Sequence, residues 1–335
     1  MQAIILASGR GSRFIPITDY HPKPLLPAAN RPLLDYLLTA VITTGITKIL
    51  VTVGYAGDQV QQYLTSSFLA PHIRPVLATN WEHSPLSSFQ AVLPYLSAKT
   101  PCILLPGDLY LTATNLQQLT KTSEEVALLY DPQAHRPGTL LQLDSSQHVH
   151  EIIQSPAFIP EYHAGLPALK ATPTFFEHTL ATCKGEPSTI FDLLQCWLAQ
   201  GQSIRGIPVT DKGWFDVDTP ADLVTLNHYI LSQGWPPTPV PAGTYLPQNT
   251  SMSGPIDDDT LTIGKDSRLE GPLLLGTEIK IGMNCLIREG TSLGDHTIVE
   301  SNTQLSRCVT LPHTEVPPNA ELASAVLDTK GNALH

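Results

Sequence analysis

The segment from Leu6 to Lys23, called here the signature segment, combines a flexible backbone with positive charge and reads LASGRGSRFIPITDYHPK. It begins in a short aliphatic run, Ala3 to Ala7, that is typical of a buried strand. Gly9 and Gly11 allow backbone N–H groups to approach phosphate oxygens closely. A lone Gly-x-Gly would indicate only a tight turn, but this one is accompanied by cations suited to a polyphosphate. Those cations are Arg10, Arg13 and Lys23.

Three aspartates follow strand-like runs and are candidate metal ligands. Asp108 comes directly after CILLPG, and Asp216 with Asp218 lies in WFDVDTP. Carboxylate oxygens suit Mg²⁺, a hard cation that bridges phosphates. Alternation along a strand would place Asp216 and Asp218 on one face. We favour Asp216 as the ligand with Asp218 supporting it, while Asp218 or Thr219 could instead cap the next helix.

Strand-like and helix-like patterns alternate through the first part of the chain. This order is typical of βαβ units and predicts an α/β fold with a Rossmann-like, mostly parallel sheet. Ligands bind at the carboxyl ends of the strands in such sheets. The predicted strands are Ala3 to Ala7, Lys48 to Val53, Ile73 to Ala78 and Cys102 to Leu105, and the helices include Pro32 to Ile46 and Asp58 to Leu64.

The C-terminal part has a period of six residues instead. Nine aliphatic residues follow one another in this register without a miss. A six-residue period fits neither a helix nor an ordinary sheet, and it predicts a parallel β-helix with three faces per turn and three coils. The nine residues are Ile263, Leu269, Leu275, Ile281, Ile287, Leu293, Val299, Leu305 and Leu311.

These patterns divide the 335 residues into four parts. A nucleotide-binding α/β domain is predicted over 1–231, and the β-helix over 254–318. Residues 232–253 contain the charge-free run GWPPTPVPAGTYLP and are interpreted as a stiff, proline-rich linker. Residues 319–335 form a C-terminal tail in this interpretation.

Composition narrows the class of protein. The net charge of −11 argues against a protein that coats nucleic acid or binds an anionic membrane surface. Apolar residues make up 42% of the chain, enough for a sizeable core, and no apolar run is long enough to span a bilayer. The N-terminus has no basic region before its apolar run, unlike a signal peptide. The five cysteines lack metal-ligand spacing, which predicts reduced thiols and a cytoplasmic protein.

The signature segment resembles that of the sugar-phosphate nucleotidylyltransferases, L-A-x-G-x-G-[TS]-R-[LMF]-x-P-x-T-x-x-x-P-K. Further segments, RPLLDYLL, GYAGDQVQQYL, PGDLYL and WFDVDTPADL, occur in the order expected of that family. The resemblance covers roughly residues 1–231. The tail with its six-residue period resembles the left-handed β-helix that follows this domain in several members.

The resemblance implies displacement at the α-phosphorus of an NTP by a phosphate oxygen of an acceptor, with Mg²⁺ as cofactor. No protein nucleophile is needed, so catalysis would be positioning and charge neutralisation. Arg13 would neutralise the leaving pyrophosphate and Lys23 would contact the α-phosphate or the attacking phosphate. Asp108, in the family's Gly-Asp motif, would hold the metal with Asp216 or Asp218. The implied nucleotide-binding residues are Leu6, Ala7, Ser8, Gly9, Arg10, Gly11, Ser12, Ser88 and Gly107.

Two departures from the family leave the acceptor open. Gln154-Ser155-Pro156 stands where sugar enzymes usually carry Glu-Lys-Pro, so a phosphate-binding cation is missing there. In YHAGLPALK, His163 takes the place of a polar sugar contact, Gly165 fits the pattern, and Lys170 is a candidate replacement for the missing cation. Earlier, PLSSFQAV has Ser87-Ser88 in place of a Gly-Thr loop. Ser88 is a candidate match to a serine of phosphocholine-type cytidylyltransferases, whereas Ser84-Pro85 does not match the asparagines of that segment.

Three functions follow from these observations. The favoured one is a sugar 1-phosphate nucleotidylyltransferase. The second keeps the chemistry, with CTP as donor and phosphocholine or a phosphonate as acceptor. The third is a catalytically silent, nucleotide-binding regulatory protein, although a silent protein has no chemical need for Arg13, Lys23 and Asp108 together. The partners are small molecules in every case, with self-association through the β-helix expected in addition.

Overall fold

The computed structural model describes residues 1–97, 100–134, 136–183, 187–234, 243–257 and 259–335. These form two compact units. One contains Met1–Arg10 and Tyr36–Trp214, and the other contains Gly11–Asp35 and Phe215–His335. Most of the signature segment therefore belongs to the same unit as the C-terminal residues.

As the sequence predicts, strands and helices alternate through the first part of the chain, whereas the four strands described between residues 126 and 171 follow one another without an α-helix between them. The strands are β1 (Gln2–Leu6), β2 (Pro27–Ala28), β3 (Arg31–Pro32), β4 (Ile49–Val53), β5 (Ile73–Leu77), β6 (Cys102–Pro106), β7 (Leu109–Leu111), β8 (Val126–Asp131), β9 (Gly138–Leu143), β10 (Val149–Ser155), β11 (His163–Ala171), β12 (Arg205–Pro208) and β13 (Trp214–Asp216). The helices are α1 (Leu33–Thr43), α2 (Gly57–Ser66), α3 (Pro85–Gln90), α4 (Ala113–Lys121), α5 (Pro173–Thr182), α6 (Ile190–Ala199) and α7 (Pro220–Ser232).

The first unit is built on a nine-stranded sheet with the path β10-β9-β11-β6-β1-β4-β5, in which β8 also pairs with β11 and β12. Its central strands β6, β1, β4 and β5 are parallel, while β11 joins β6 in antiparallel orientation. Strand β4 is buried along its whole length, as expected where both faces of a sheet are covered. The fold is the Rossmann-like α/β fold that the sequence predicts.

Short strands with a regular spacing make up the C-terminal part of the second unit. They are β14 (Thr244–Leu246), β15 (Ser251–Ser253), β16 (Ile256–Asp257), β17 (Leu261–Ile263), β18 (Arg268–Glu270), β19 (Leu273–Leu275), β20 (Ile279–Ile281), β21 (Leu286–Ile287), β22 (Ser292–Leu293), β23 (Ile298–Val299), β24 (Gln304–Thr310), β25 (Glu315–Val316), β26 (Glu321–Leu327) and β27 (Ala333–Leu334).

Their pairing confirms the β-helix. Ile263 is the register partner of Ile281, and Ile281 of Val299, so each coil takes 18 residues in parallel pairing. All nine aliphatic residues of the six-residue period are at most 2% exposed. The next step, from Val299 to Val316, takes 17 residues. The hydrophobic effect of this stacked column, rather than local propensity, therefore holds the coils together.

Asparagines mark one corner of the β-helix. Asn284, Asn302 and Asn319 all adopt positive φ, which asparagine tolerates better than most residues. The Asn284 amide donates to the Oδ1 atom of Asn302 at 3.0 Å, and the Asn302 amide donates to that of Asn319 at 3.3 Å. These side-chain hydrogen bonds thus connect successive coils, as the hydrogen bonds between backbone groups do.

Antiparallel strands cover both ends of the β-helix. At the beginning, β14, β15 and β16 pair with β19, β18 and β17, one on each face. At the other end, β27 pairs with β26. These strands satisfy backbone groups that an open sheet edge would leave unpaired.

Helix α7 joins the β-helix to a tight hairpin formed by β2 and β3. Ala29 and Asn30 at the hairpin tip both have positive φ, as a two-residue turn of this kind requires. The Oδ1 atom of the fully buried Asn227 accepts from the Ala29 N–H and from the Ser292 hydroxyl, each at 2.7 Å, while its amide donates to the Gly290 carbonyl at 2.8 Å. One side chain thereby connects three segments of the second unit.

The expectation that all five cysteines are reduced is wrong for two of them. Cys183, after α5, and Cys196, in α6, form a disulfide with their Cα atoms 5.7 Å apart. Their spacing of 13 residues matched no motif, and it is the packing of α5 beside α6 that brings them together. Cys102, Cys285 and Cys308 are free and buried, and burial raises the pKa of the Cys102 thiol to about 12.

Two further sequence-based expectations concern segments rather than residues. The most proline-rich part of the predicted linker falls on residues 235–242, which lie outside the described residues. Among the helices that are described, none is both long enough and apolar enough to cross a membrane.

Candidate functional site

The part of the signature segment in the first unit is fixed by neighbouring strands. The Ala7 N–H donates to both the carbonyl and the Oγ1 atom of Thr52 in β4, at 3.2 and 3.1 Å. The hydroxyl of Ser8 donates to that of Ser88 at 2.6 Å, and both serines are buried. Gly9 and Arg10, which follow, are exposed. Buried anchors thus position a turn whose tip faces solvent.

Helix α3 brings Ser88 to this loop. Its N-cap is Ser84, whose hydroxyl accepts from the Ser87 N–H at 3.1 Å. The buried hydroxyl of Ser88 in α3 accepts from the Ser8 hydroxyl, so the structure brings these two predicted nucleotide-binding residues together.

Gly107 lies directly against the same loop. Its N–H donates to the Leu6 carbonyl at 2.8 Å, and a Cβ atom at this position would lie 2.8 Å from the Cβ of Ala7. Any larger residue would force the two segments apart. Asp108 follows in the turn between β6 and β7 and is half-buried, at the carboxyl end of a parallel strand, where such sheets bind ligands.

The remainder of the signature segment, in the second unit, packs Gly11 against Lys23. Gly11 has φ +68°, and a Cβ there would lie 2.8 Å from the Cβ of Lys23. The Gly11 carbonyl accepts from the Thr18 hydroxyl at 3.0 Å. Glycine is therefore required at this position both by its backbone conformation and by the close approach of Lys23.

Arg13 and Lys23 converge on one carboxylate. The Arg13 guanidinium lies 2.6 Å from the Oδ1 atom of Asp218, and the Lys23 ammonium lies 3.5 Å from the same oxygen. The Arg13 side chain is 61% exposed, whereas that of Lys23 is 11% exposed. The second unit thus brings two cations and one carboxylate together. The Lys23 side chain is mostly buried, whereas the Arg13 side chain is exposed to solvent.

Asp216 and Asp218 are brought together by a turn, not by a strand face as the alternation predicted. Strand β13 ends at Asp216, and the Asp218 N–H donates to the Asp216 carbonyl at 3.1 Å. Carboxylate oxygens of the two residues lie within 4.8 Å of each other. Thr219 is the cap of α7 and forms a capping box with Asp222, which leaves the Asp218 carboxylate for Arg13 and Lys23.

The donor set fits a hard divalent cation. Two half-buried carboxylates offer oxygen ligands within 4.8 Å of each other, and Mg²⁺ prefers oxygen ligands. Asp216, the ligand favoured from the sequence, and Asp218, which contacts Arg13 and Lys23, both stay candidate ligands. Asp108 belongs to the first unit, so a metal site shared by all three stays a prediction.

On the predicted acceptor side, His163 and Gly165 lie in β11, where the His163 ring packs 5.2 Å from that of Tyr130. Lys170, on the same strand, is 4% exposed, and its ammonium donates to the Thr122 carbonyl. Burial lowers the pKa of Lys170. This engagement does not favour the predicted contact between Lys170 and an acceptor phosphate.

The residues that replace Glu-Lys-Pro also have local partners. The Gln154 amide donates to the Thr139 hydroxyl at 2.8 Å, and the Ser155 hydroxyl donates to the Ala157 carbonyl at 2.6 Å. Neither residue carries a charge that could pair with a phosphate. The structure therefore offers no substitute for the missing cation at this position of β10.

Thr52, which holds the loop at Ala7, and Asn227, which connects segments of the second unit, belong to no motif in the sequence. Thr52 is the one hydroxyl residue in the aliphatic run ILVTV of β4, which is the signal that would have indicated it. Asn227 is a single amide among the buried apolar residues of α7. A single residue of this kind has no periodic signature, so only its contacts reveal its role.

This loop at a parallel sheet, followed by a β-helix, defines the class of protein. Residues 2–233 match the family model described as nucleotidyl transferase. The match covers more than half of the chain, and the chain belongs to this nucleotidyl transferase family.

Individual relatives are similar at moderate identity. The chain is 26% identical to the bifunctional protein GlmU of Burkholderia multivorans, over 96% of this chain and 72% of that protein. It is 22% identical to a glucose-1-phosphate thymidylyltransferase of Streptomyces griseus, over 90% and 85% respectively. A CTP:phosphoglutamine cytidylyltransferase of Campylobacter jejuni is 30% identical over 39% of this chain and 53% of its own length.

Proposed function

We propose that this protein transfers a nucleotidyl group from an NTP to a phosphorylated acceptor, in a Mg²⁺-dependent reaction that releases pyrophosphate. An acceptor phosphate oxygen forms a bond to the α-phosphorus, and the bond from that phosphorus to the β-phosphate oxygen breaks. The observation that carries the proposal is the convergence of Arg13 and Lys23 on Asp218 in a chain of the nucleotidyl transferase family.

In this proposal the loop from Leu6 to Ser12 binds the nucleotide with Ser88 and Gly107. Arg13 neutralises the charge that develops on pyrophosphate, and Lys23 stabilises the α-phosphate as it is attacked. Asp218 keeps both cations close to each other before substrate arrives, and the phosphates then compete with it for them. Preorganised charge of this kind costs no rearrangement during the reaction.

Asp108 and Asp216 are the proposed ligands of Mg²⁺, with Asp218 supporting them. When bound there, the cation would supply positive charge beside the phosphates. His163 and Gly165 are the residues proposed to contact the acceptor.

A sugar 1-phosphate is the favoured acceptor. The supporting observation is the similarity, over 90% of this chain, to a relative named glucose-1-phosphate thymidylyltransferase. A cytidylyltransferase with a non-sugar acceptor, such as phosphocholine or a phosphonate, is the second candidate. It is favoured by the uncharged Gln154 and Ser155 in β10 and by the similarity to the CTP-named relative.

The test is pyrophosphate release from four NTPs, each offered with glucose 1-phosphate, N-acetylglucosamine 1-phosphate, phosphocholine and 2-aminoethylphosphonate. We expect turnover with at least one pair and its loss, by at least a thousandfold, in Asp108→Ala. The control is Asp58→Ala, an exposed residue in the first turn of α2. Nucleotide binding without pyrophosphate release from any pair would instead favour a silent regulatory protein, and full activity of Asp108→Ala would contradict the assigned metal ligand.

A further inference from the structure

A cavity of about 200 Å³ lies within the first unit, against the sheet. Its floor is formed by Leu104, Leu128 and Leu169, which are neighbours in the register of β6, β8 and β11. Its walls come from helix N-termini, with Ile190 and Phe191 of α6 on one side. The capping box of Thr189 and Asp192 fixes the start of α6 and with it the position of this wall.

The cavity adjoins the proposed nucleotide loop within the same unit. Two of its lining residues, Leu6 and Pro106, directly precede Ala7 and Gly107, which contact each other closely. Pro85, the first residue of α3, also lines it, and α3 is tied to the loop through the bond between Ser8 and Ser88. A molecule in this cavity therefore lies next to the residues proposed to hold the nucleotide.

The lining offers few hydrogen-bond partners to a polar ligand. Eleven of its twelve residues are apolar, and the hydroxyl of the twelfth, Thr189, already accepts from the Asp192 N–H. Pro85, Pro106 and Pro167 have no backbone N–H to donate. Sugar hydroxyls buried here would lose hydrogen bonds to water without replacement, whereas aliphatic groups would gain from leaving water.

We propose that this cavity binds an aliphatic part of the phosphorylated acceptor. Such an acceptor is a phosphomonoester that carries exposed methyl or methylene groups. Two kinds of molecule have this chemistry, namely alkyl phosphates and deoxy-sugar 1-phosphates. The proposal rests on the proposed function, because the acceptor is defined by the nucleotidyl transfer.

The first test measures equilibrium binding without nucleotide, by calorimetric titration with straight-chain alkyl phosphates from ethyl to hexyl. Each added methylene that enters the cavity should tighten binding by about fourfold. Binding that does not depend on chain length overturns the proposal.

Variants locate the binding. Ile190→Asn places an amide in the wall and should abolish the dependence on chain length, and Ile190→Trp should do the same by filling the space. The matched control is Leu198→Asn, at a half-buried position of the same helix outside the lining, which should retain it. Circular dichroism confirms that each variant is folded. Chain-length dependence that survives in both Ile190 variants overturns the proposal.

Turnover measurements distinguish a deoxy-sugar 1-phosphate from an alkyl phosphate as the acceptor. A higher kcat/KM for 6-deoxyglucose 1-phosphate than for glucose 1-phosphate supports a deoxy sugar, and a higher value for hexyl phosphate supports an alkyl acceptor. A preference for glucose 1-phosphate, or competition of hexyl phosphate with the NTP rather than with the acceptor, overturns the cavity assignment while the proposed function stands. Chain-length-dependent binding with no turnover from any pair would instead contradict the proposed function and leave the cavity assignment intact.

Discussion

At the scale of single residues, two glycines of the signature segment play different roles. Gly11 adopts φ +68° with Lys23 packed where a Cβ would stand, whereas a Cβ on Gly9 would meet nothing within 4 Å. Sequence alone could not separate them, since both belong to one Gly-x-Gly pattern. The difference appears only in the structure, where residues 11–23 fold back and bring Lys23 against Gly11. Gly11 is therefore required, whereas Gly9 could be replaced.

Gly11→Ala should therefore lower the free energy of unfolding by about 1–3 kcal/mol, from backbone strain and from the displacement of Lys23. Gly9→Ala is the matched control, and its effect on stability should stay within about 0.5 kcal/mol. Urea denaturation of the two variants measures both values. Equal stability of the two would contradict the packing of Gly11 against Lys23.

His21 gives the signature segment a dependence on pH. Burial lowers the pKa of His21, and its Nε2 atom lies 2.9 Å from the Leu25 carbonyl oxygen. As the pH falls below about 6.5, the unfolded chain takes up a proton on this imidazole before the folded protein does. Protonation thus favours the unfolded state, and the free energy of unfolding should fall as the pH decreases through this range.

Denaturation at pH 7.5 and 5.5 measures this effect. The loss of stability between the two pH values should be smaller in His21→Gln than in the wild-type protein. An equal loss in both would exclude His21 as its source.

At the scale of elements, the strongest predictions came from periodic patterns. Nine aliphatic residues at six-residue spacing predicted a buried column, and all nine are buried. Strand β4 was likewise predicted from a run of β-branched residues, and it is also buried. By contrast, β14, β15, β16 and β27, which cover the ends of the β-helix, carry no such period because each makes antiparallel contacts at one site.

Asn227 in α7 is the clearest case of an interaction that leaves no pattern. Asn227→Ala removes partners from the Ala29 N–H, the Gly290 carbonyl and the Ser292 hydroxyl, all in the second unit. Buried polar groups without partners are costly, so we expect a loss of about 2–4 kcal/mol in the free energy of unfolding.

The matched control for Asn227→Ala is Thr225→Ala on the exposed side of the same helix, where the hydroxyl donates only to the Ala221 carbonyl. Its effect should stay within about 0.5 kcal/mol. Guanidinium denaturation distinguishes the two variants, and a similar effect of both would show that the three hydrogen bonds of Asn227 contribute little.

At the scale of the whole molecule, each compact unit combines segments that are far apart in the sequence. Residues 11–35, from the N-terminal part, belong to the same unit as the β-helix. The amide of Asn30, for example, donates to the carbonyl of Leu293 at 2.7 Å. A motif that is continuous in sequence is thus divided between two units, which local patterns could not indicate because they contain no long-range contacts.

Self-association through the β-helix stays a prediction, and the structure restricts its form. The beginning of the β-helix is covered on each face by β14, β15 and β16 of the same chain, so a second copy would have to use another part of the β-helix. We expect sedimentation velocity at micromolar concentration to give a mass that is a multiple of 36.3 kDa. A single species at the monomer mass would contradict this expectation.

We propose that Arg13, Lys23 and a divalent cation held by Asp108 surround one polyphosphate. The most direct measurement is a crystal structure with Mn²⁺ in place of Mg²⁺ and an NTP whose α–β bridging oxygen is replaced by methylene. We predict an anomalous peak bound by carboxylates of Asp108 and Asp216, with phosphate oxygens within hydrogen-bond distance of Arg13 and Lys23. Density for the triphosphate away from these cations, or a manganese peak without Asp108, would contradict the account.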